Sequence, residues 1–128
     1  MTRDDFAAWL DRYIEAWRSG DAVAIGDLFS EDAVYSYQGG SDRIEGREAI
    51  VTSWLKDPDP PGSFEARYEP LAIDGDIHVA RGTSRYFDPD GSSRDDYSNL
   101  FVCEFDAEGR CRSFTEWYIR SSPPRAAA

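Results

Sequence analysis

The chain has 128 residues and a formal net charge of −11, with 41% apolar and 14% aromatic residues. This length fits one domain with a sizeable core and is too short for two. The strong negative charge argues against nucleic acid and anionic membranes as partners, because both attract basic surfaces. No apolar run reaches transmembrane length and no secretory signal pattern is visible, so we expect a cytoplasmic protein whose two cysteines are reduced.

The first half of the chain has the patterns of three helices. The first helix is expected to start at a cap on Thr2 or Asp4 and to end before Gly20. Its apolar face comprises Phe6, Trp9, Leu10, Tyr13 and Trp17. A short second helix follows the cap at Asp21, a strand is predicted over Ala33–Tyr37, and "IEGREAIVTSWL" predicts a third helix that "KDPDPPG" ends.

The second half of the chain predicts only strands. Their spans are Phe64–Ile73, Ile77–Phe87, Asp96–Phe105 and Cys111–Ile119, with turn residues between them. Helices followed by such strands predict the α+β class, with a strongly bent antiparallel sheet wrapped around three N-terminal helices. We expect a single domain over residues 1–120 and a flexible tail over 121–128.

Four stretches in this order resemble a known superfamily: "RYIEAWRSGDAVAIGDLFSEDAVYSY", "IEGREAI", "AIDGDIHVARGT" and "LFVCEFDAEGRCRSFTEWY". Over residues 5–119 the chain resembles the nuclear transport factor 2-like superfamily, and within it the SnoaL-like, ketosteroid-isomerase-like branch. The resemblance implies a cone-shaped, cystatin-like α+β barrel closed by three helices, a pocket in its mouth and a dimer on the outer face of the sheet. It implies no single function, because the fold hosts isomerases, cyclases, dehydratases, epoxide hydrolases and non-catalytic binders.

The last hairpin directs a carboxylate into the interior. If Glu108-Gly109 forms a two-residue turn, or the centre of a four-residue loop, Phe101 lies opposite Glu116, and alternation puts both on one face. A three-residue loop would shift this register by one residue. That face is the more apolar one, so we expect it to be the inner face. Its other members are Tyr97, Asn99 and Cys103 on one strand, with Phe114 and Tyr118 on the other. The same alternation puts Cys111 on the opposite face from Cys103 and argues against a disulfide.

The role of Glu116 depends on its partners. Burial would raise its pKa and suit general acid/base work near neutral pH, whereas an ion pair with Arg81 or Arg85 would make it structural. Arg81 would neutralise Glu116 or bind an anionic substrate if its face is the inner one, and would belong to a dimer contact or to solvent if it is the outer one. We expect His78, at the opposite parity, at the surface or an interface, with no catalytic role.

The resemblance also allows two chemistries to be compared by position. Against the ketosteroid isomerases, the tyrosine that binds the dienolate oxygen falls on Tyr13, but the general base falls on Tyr37 and the oxyanion-hole aspartate on Phe101. Against the limonene-type epoxide hydrolases, the water-activating aspartate falls on Glu116 and the water-binding tyrosine on Tyr35. Their arginine–aspartate pair falls near Thr83 and Arg85, so the acid that protonates the epoxide is missing. Neither mechanism is complete in this sequence.

These patterns predict an aromatic pocket that takes a hydrophobic small molecule. The predicted catalytic residues are Glu116, Tyr35 and Tyr13. The predicted substrate-binding residues are Trp17, Tyr37, Trp54, Arg81, Tyr97, Asn99, Phe101 and Phe114, although ordinary core packing also explains some of the aromatic ones. With one histidine and no phosphate-binding glycine motif, we predict no metal site and no cofactor.

We therefore expect an enzyme of the isomerase, cyclase or hydrolase type, or alternatively a non-catalytic ligand-binding or dimerisation module. A protein-interaction adaptor is a third interpretation. The small residues in Ile77–Tyr86 predict the face on which two sheets approach in a homodimer. That face would consist of His78, Ala80, Gly82 and Ser84.

Overall fold

The computed structural model describes residues 1–121, except the side chain of Ser41. The predicted flexible tail lies outside the described residues apart from Ser121. The elements in chain order are α1 (Arg3–Ser19), α2 (Ala22–Asp27), β1 (Phe29–Tyr37), β2 (Ser41–Glu45), α3 (Arg47–Lys56), β3 (Phe64–Asp74), β4 (Ile77–Phe87), β5 (Ser93–Phe105) and β6 (Cys111–Arg120). No helix among residues 1–121 has the length and apolarity that crossing a bilayer requires.

Helix α1 begins and ends where the sequence predicts. The Thr2 hydroxyl accepts from the Asp5 backbone N–H and the Asp5 side chain accepts in return from Thr2, which forms a capping box. Gly20 ends the helix in the left-handed region at φ 63°, where a side chain would be strained. The predicted apolar face is buried from Phe6 to Tyr13, and Trp17 is half-buried. This face therefore packs into the core along most of its length, and its C-terminal end forms part of the pocket wall.

The six strands form one curved, open sheet around the helices, which confirms the α+β cone. The strand order is β2-β1-β6-β5-β4-β3. Two features differ from the sequence-based expectation: β2 was not predicted, and β1 pairs with β6 in parallel while the other pairs are antiparallel. The parallel pair brings Tyr37 beside Glu116. The first and last strands of the chain therefore meet at the predicted site.

The β5–β6 register is as predicted, although the turn is not. Phe101 pairs with Glu116. The turn is longer than two residues, since Asp106 N–H donates to the carbonyl of Arg110, and Phe105 pairs with Cys111. An irregularity around residue 112 then restores the predicted pairing.

The two cysteines do not lie on opposite faces. Cys103 and Cys111 are both fully buried free thiols, so the predicted placement of Cys111 on the opposite face from Cys103 is wrong. The irregularity around residue 112 shifts the alternation between Cys111 and the rest of β6, and alternation holds only along a regular strand.

The inner face of β4 is the opposite of the one expected. His78, Ala80 and Ser84 are buried inside the cone, so they do not form an outer dimer face. The His78 ring packs edge-on against Phe6 and Phe105, and its Nδ1 lies 3.0 Å from the Asp76 carbonyl oxygen. The small side chains of β4 make room for interior groups rather than for a second sheet.

Gly82 shows why this strand needs small residues. A Cβ at this position would overlap the backbone carbonyl of Arg67 and the ring of Tyr68 on β3. Tyr68 and Gly82 are cross-strand partners, and the Tyr68 ring packs on Phe101 at 4.5 Å between centroids. The absence of a side chain at Gly82 thus leaves space for a large aromatic ring on the concave face.

Candidate functional site

A cavity of about 490 Å³ opens between the helices and the concave face of the sheet. The chain has seven tyrosines, and all seven line this cavity. The tyrosines are Tyr13, Tyr35, Tyr37, Tyr68, Tyr86, Tyr97 and Tyr118. Two of the four tryptophans, Trp17 and Trp54, line it as well. A wall of this kind offers flat apolar surface with hydroxyl groups at the ring ends.

Glu116 lines the cavity with its carboxyl group bound by two donors. The Asn99 side-chain amide donates to Oε2 at 3.0 Å, and the Tyr35 hydroxyl donates to Oε1 at 3.4 Å. Burial raises the pKa of Glu116 from 4.5 to about 7, while the bonds from Asn99 and Tyr35 pull it downwards. Desolvation outweighs the two hydrogen bonds, so Glu116 is about half ionised at neutral pH.

A second hydroxyl extends this arrangement into the helical layer. The Tyr13 and Tyr35 oxygens lie 3.0 Å apart, and because Tyr35 donates to Glu116, Tyr13 donates to Tyr35. Burial raises the pKa of both phenols well above 10, and the nearby Glu116 charge adds to this. Both tyrosines therefore keep their protons at neutral pH and act as hydrogen-bond donors.

Ser84 orients the amide on the other side of the carboxyl group. Its hydroxyl donates to the Asn99 carbonyl oxygen at 3.1 Å, which leaves the Asn99 amide nitrogen directed at Glu116. Both residues are buried. The hydrogen-bonded sequence Tyr13–Tyr35–Glu116–Asn99–Ser84 joins α1, β1, β6, β5 and β4, and it fixes the carboxyl group from both sides.

No ion pair neutralises Glu116 within residues 1–121. Arg81 lies on the convex side, where it pairs with Glu69 at 3.0 Å, and it does not reach the cavity. Arg85 is also exposed and pairs with Asp96 at 3.2 Å. The prediction that Arg81 binds substrate rested on the wrong face of β4. The structural ion pair considered for Glu116 is absent for the same reason.

The other predicted residues divide into lining and support. Trp17, Tyr37, Trp54, Tyr97 and Asn99 line the cavity together with the three predicted catalytic residues. Phe101 and Phe114 are instead buried behind it, where Phe114 stacks on Tyr35 at 4.5 Å and on Tyr13 at 5.4 Å between centroids. These two phenylalanines hold the hydroxyl-bearing rings in position and do not line the cavity themselves.

Several lining residues were not predicted from the sequence, among them Tyr68, Ser84, Tyr86 and Arg94. Ser84 and Tyr86 lie on the same face of β4 as His78, because strand residues two apart share a face. If His78 had been placed on the inner face, both would have been predicted as lining residues. The cross-strand pairing of Gly82 would then have added Tyr68. Arg94 precedes the inner-facing part of β5, and nothing in the local pattern marks it as a lining residue.

Three helices and a concave six-stranded sheet with an aromatic pocket form a nuclear transport factor 2-like fold. The model of the SnoaL-like domain matches residues 10–114, and the chain belongs to this family. No protein of curated function matches the chain.

Solved structures show the same fold at low sequence identity. An NTF2-like protein of unknown function from Burkholderia xenovorans is 21% identical, with 98% of this chain and 89% of that chain covered and a TM-score of 0.69. A ketosteroid isomerase candidate from Kribbella flavida is 18% identical, with 98% and 85% covered and a TM-score of 0.68. An LEH-like epoxide hydrolase from Mycobacterium tuberculosis is 18% identical, with 91% and 84% covered and a TM-score of 0.67.

Proposed function

We propose that the protein is an enzyme that performs acid/base chemistry on a hydrophobic small molecule, with Glu116 as the group that takes and returns the proton. The observation that carries this proposal is a carboxyl group in the wall of an aromatic cavity, bound by Asn99 and Tyr35, where burial raises its pKa to about 7. A buried carboxylate held only for structure would be expected to have a cationic partner, and Glu116 has none among residues 1–121. The reaction is of the isomerase, cyclase or hydrolase type.

The geometry suits one proton transfer through Glu116. The ionised carboxylate accepts a proton from a substrate carbon or from a water, and a pKa near the working pH keeps both protonation states accessible. Asn99 and Tyr35 hold the group in place, so little reorganisation accompanies the transfer. Neutral phenols such as Tyr68 and Tyr86 line the same cavity and can donate to an oxygen on which negative charge develops.

The second acid of those two family mechanisms is missing from the positions where the resemblance places it. Phe101 occupies the position where the resemblance to ketosteroid isomerases implies an oxyanion-hole aspartate. Thr83 and Arg85, near the position of the epoxide-protonating pair, are exposed and outside the cavity. The proposed reaction therefore uses one carboxyl group with phenolic donors, and it does not reproduce either of those two mechanisms.

Hydrogen–deuterium exchange at carbon tests this proposal without knowledge of the physiological substrate. A panel of cyclic ketones is incubated in D₂O with the protein, and loss of the α-proton signal is followed by NMR. We expect exchange by the wild type to fall roughly 100-fold or more in Glu116→Gln. Glu65→Gln is the matched control, because Glu65 is exposed on the opposite face of β3 from Tyr68 and its replacement changes the net charge equally. Equal exchange in wild type and Glu116→Gln would contradict the proposal.

A non-catalytic ligand-binding or dimerisation module is the second candidate. The observation that favours it is that the acid which assists the carboxylate in the two family mechanisms is absent from its position, since Glu116 with its hydrogen-bond donors also makes a good polar anchor for a ligand. Tight binding of panel compounds without exchange, turnover or hydrolysis in the wild type would support this candidate over the enzyme.

We further propose a homodimer, formed through the convex face of the sheet. Leu100 pairs with Trp117 across β5 and β6, and both are 36% exposed, while Ile119 on β6 is 72% exposed. These outward side chains form an apolar patch that a second copy would cover.

The two free thiols suit a cytoplasmic location, where thiols stay reduced.

A further inference from the structure

Five tyrosines follow one another in ring contact around the cavity. Tyr86 contacts Tyr97 with centroids 5.8 Å apart at 89°, and Tyr97 contacts Tyr118 at 5.8 Å and 83°. Tyr118 contacts Tyr37 at 6.4 Å and 80°, and Tyr37 contacts Tyr35 at 5.1 Å and 56°. Because neighbouring rings are steeply inclined, faces and edges alternate along the series. Aromatic faces carry partial negative charge and attract organic cations.

The opposite side of the cavity is aromatic too. The Tyr13 ring contacts Trp54 at 4.9 Å and 80° and Tyr68 at 6.0 Å and 82°. Trp17 stacks on Phe64 at 3.8 Å, and its indole N–H donates to the Asp59 carboxylate at 2.9 Å. Aromatic rings therefore line the cavity on both sides, and a group bound in the cavity lies between them.

The charged residues that line the cavity also favour a cation over an anion. Three acidic residues line the cavity, namely Glu116, Asp57 and Asp59, and one basic residue, Arg94. Arg94 is exposed, pairs with Asp95 at 3.4 Å and lies 5.8 Å over the Tyr86 ring. The chain as a whole carries −11, which attracts cations to the cavity and repels anions.

From this arrangement, and resting on the proposed function, we propose that the substrate is an organic cation: a hydrophobic amine or quaternary ammonium compound whose positive group lies among the aromatic rings beside Glu116. A carboxylate substrate would meet two aspartates and Glu116 for a single arginine that already has an acidic partner. A neutral substrate would use the apolar surface but would gain no attraction from the negative charges of Asp57 and Asp59.

A pair of probes that differ in charge alone tests this inference. 3-(Trimethylammonio)benzyl alcohol, which is a cation, and neutral 3-tert-butylbenzyl alcohol share size and shape, because a nitrogen cation replaces a neutral carbon, and their hydroxyl groups do not titrate near neutral pH. Calorimetry at pH 8.5, where Glu116 is ionised, measures both, with 3-(hydroxymethyl)benzoate as the anionic comparison. We expect the cation to bind at least about tenfold more tightly than the neutral probe. We expect the anion to bind more weakly than either.

Two cavity variants and one control variant test whether the preference for the cationic probe arises in the cavity. Glu116→Gln should weaken binding of the cation by at least about fivefold and leave the neutral probe within about twofold. Tyr97→Leu, which removes one π-face, should also weaken the cation more than the neutral probe. Glu65→Gln, with the same change of net charge outside the cavity, should preserve the preference. Circular dichroism checks that each variant is folded.

The outcomes separate this inference from the proposed function. Equal or tighter binding of 3-tert-butylbenzyl alcohol, or strongest binding of 3-(hydroxymethyl)benzoate, would overturn the cation inference, while the role of Glu116 would still stand on the exchange experiment. A cation preference that persists in both cavity variants would overturn it as well. If none of the three probes binds, the inference fails, and exchange measured on neutral ketones decides the proposed function separately.

Discussion

The side-chain amide of Asn99 donates to Oε2 of Glu116 at 3.0 Å, across the pairing of β5 and β6. This contact is diagonal, because the residue directly opposite Glu116 is Phe101. The apolar partner contributes to the desolvation of the carboxyl group, and the diagonal partner stabilises its charge. Desolvation raises the pKa of Glu116 more than hydrogen bonding lowers it, and the resulting pKa is about 7. This pKa can be tested in several ways.

Replacement of Glu116 by Gln should change how stability depends on pH. The pKa rises from 4.5 to about 7 on folding, so the folded state holds the proton more tightly, and this group lowers stability as pH rises from 4.5 through 7. Above pH 7 the cost is about 2–3 kcal/mol, after a discount for solvent access through the cavity. Glu116→Gln should therefore equal the wild type near pH 4.5 and exceed its free energy of unfolding at pH 8. Urea unfolding at both pH values measures this. A variant less stable by about 3–5 kcal/mol at pH 8 would instead indicate a broken ion pair.

Removal of the Tyr35 hydroxyl should move the pKa of Glu116 upwards. In Tyr35→Phe the carboxylate loses a donor that lowers its pKa, whereas desolvation is unchanged. Tyr97→Phe is the control, because Tyr97 lines the cavity without a hydrogen bond to Glu116 among those that set its pKa. An NMR titration of the Glu116 carboxyl carbon in each variant gives the direction. A downward shift in Tyr35→Phe would show that Tyr35 does not donate to the ionised form.

Tryptophan fluorescence should report occupancy of the cavity through two residues only. Trp17 and Trp54 line the cavity, whereas Trp9 is fully buried in the core and Trp117 is on the convex face. A bound aromatic compound should quench the wild type. The quenching should largely disappear in the Trp17→Phe/Trp54→Phe double variant. Undiminished quenching in the double variant, with binding verified by calorimetry, would place the ligand elsewhere.

The proposed dimer should dissociate when charge is placed on the convex patch. We expect the wild type to sediment at twice 14.4 kDa, and Ile119→Glu to sediment as a monomer, because a buried unpaired carboxylate is costly. Val23→Glu is the control, since Val23 is 71% exposed on α2 rather than on the sheet. A wild type that stays monomeric at micromolar concentration would contradict the dimer.

The regular helices and strands of this chain could be predicted from the sequence. Residues of the site could be placed correctly only where the helix or strand that carries them is regular. The α1 face from Phe6 to Tyr13 follows helical spacing, and the inward direction of Glu116 follows strand alternation. Both are consequences of local backbone geometry. The same alternation predicted the wrong side for Cys111, because the irregularity near residue 112 leaves no clear mark in the sequence.

The face of β4 could not be chosen from its pattern. One side carries His78, Ala80 and Ser84, and the other carries Arg81 and Arg85, so neither side is strongly apolar. What decides is the tertiary environment: interior rings fill the space that the small residues leave, and the arginines find acidic partners on neighbouring strands. Ser84, Tyr86 and, through Gly82, Tyr68 were missed for this one reason.

An NMR pH titration of the Glu116 carboxyl carbon in the wild-type protein tests the central claim most directly. Selective ¹³C labelling of glutamate, with Glu116→Gln to assign the resonance, gives its midpoint. The cavity and hydrogen bonds predict a midpoint of about 7, well above the 4.5 of an ordinary glutamate. A midpoint at or below 4.5 would show that Glu116 is solvated or paired with a cation, and it would contradict the proposed acid/base role.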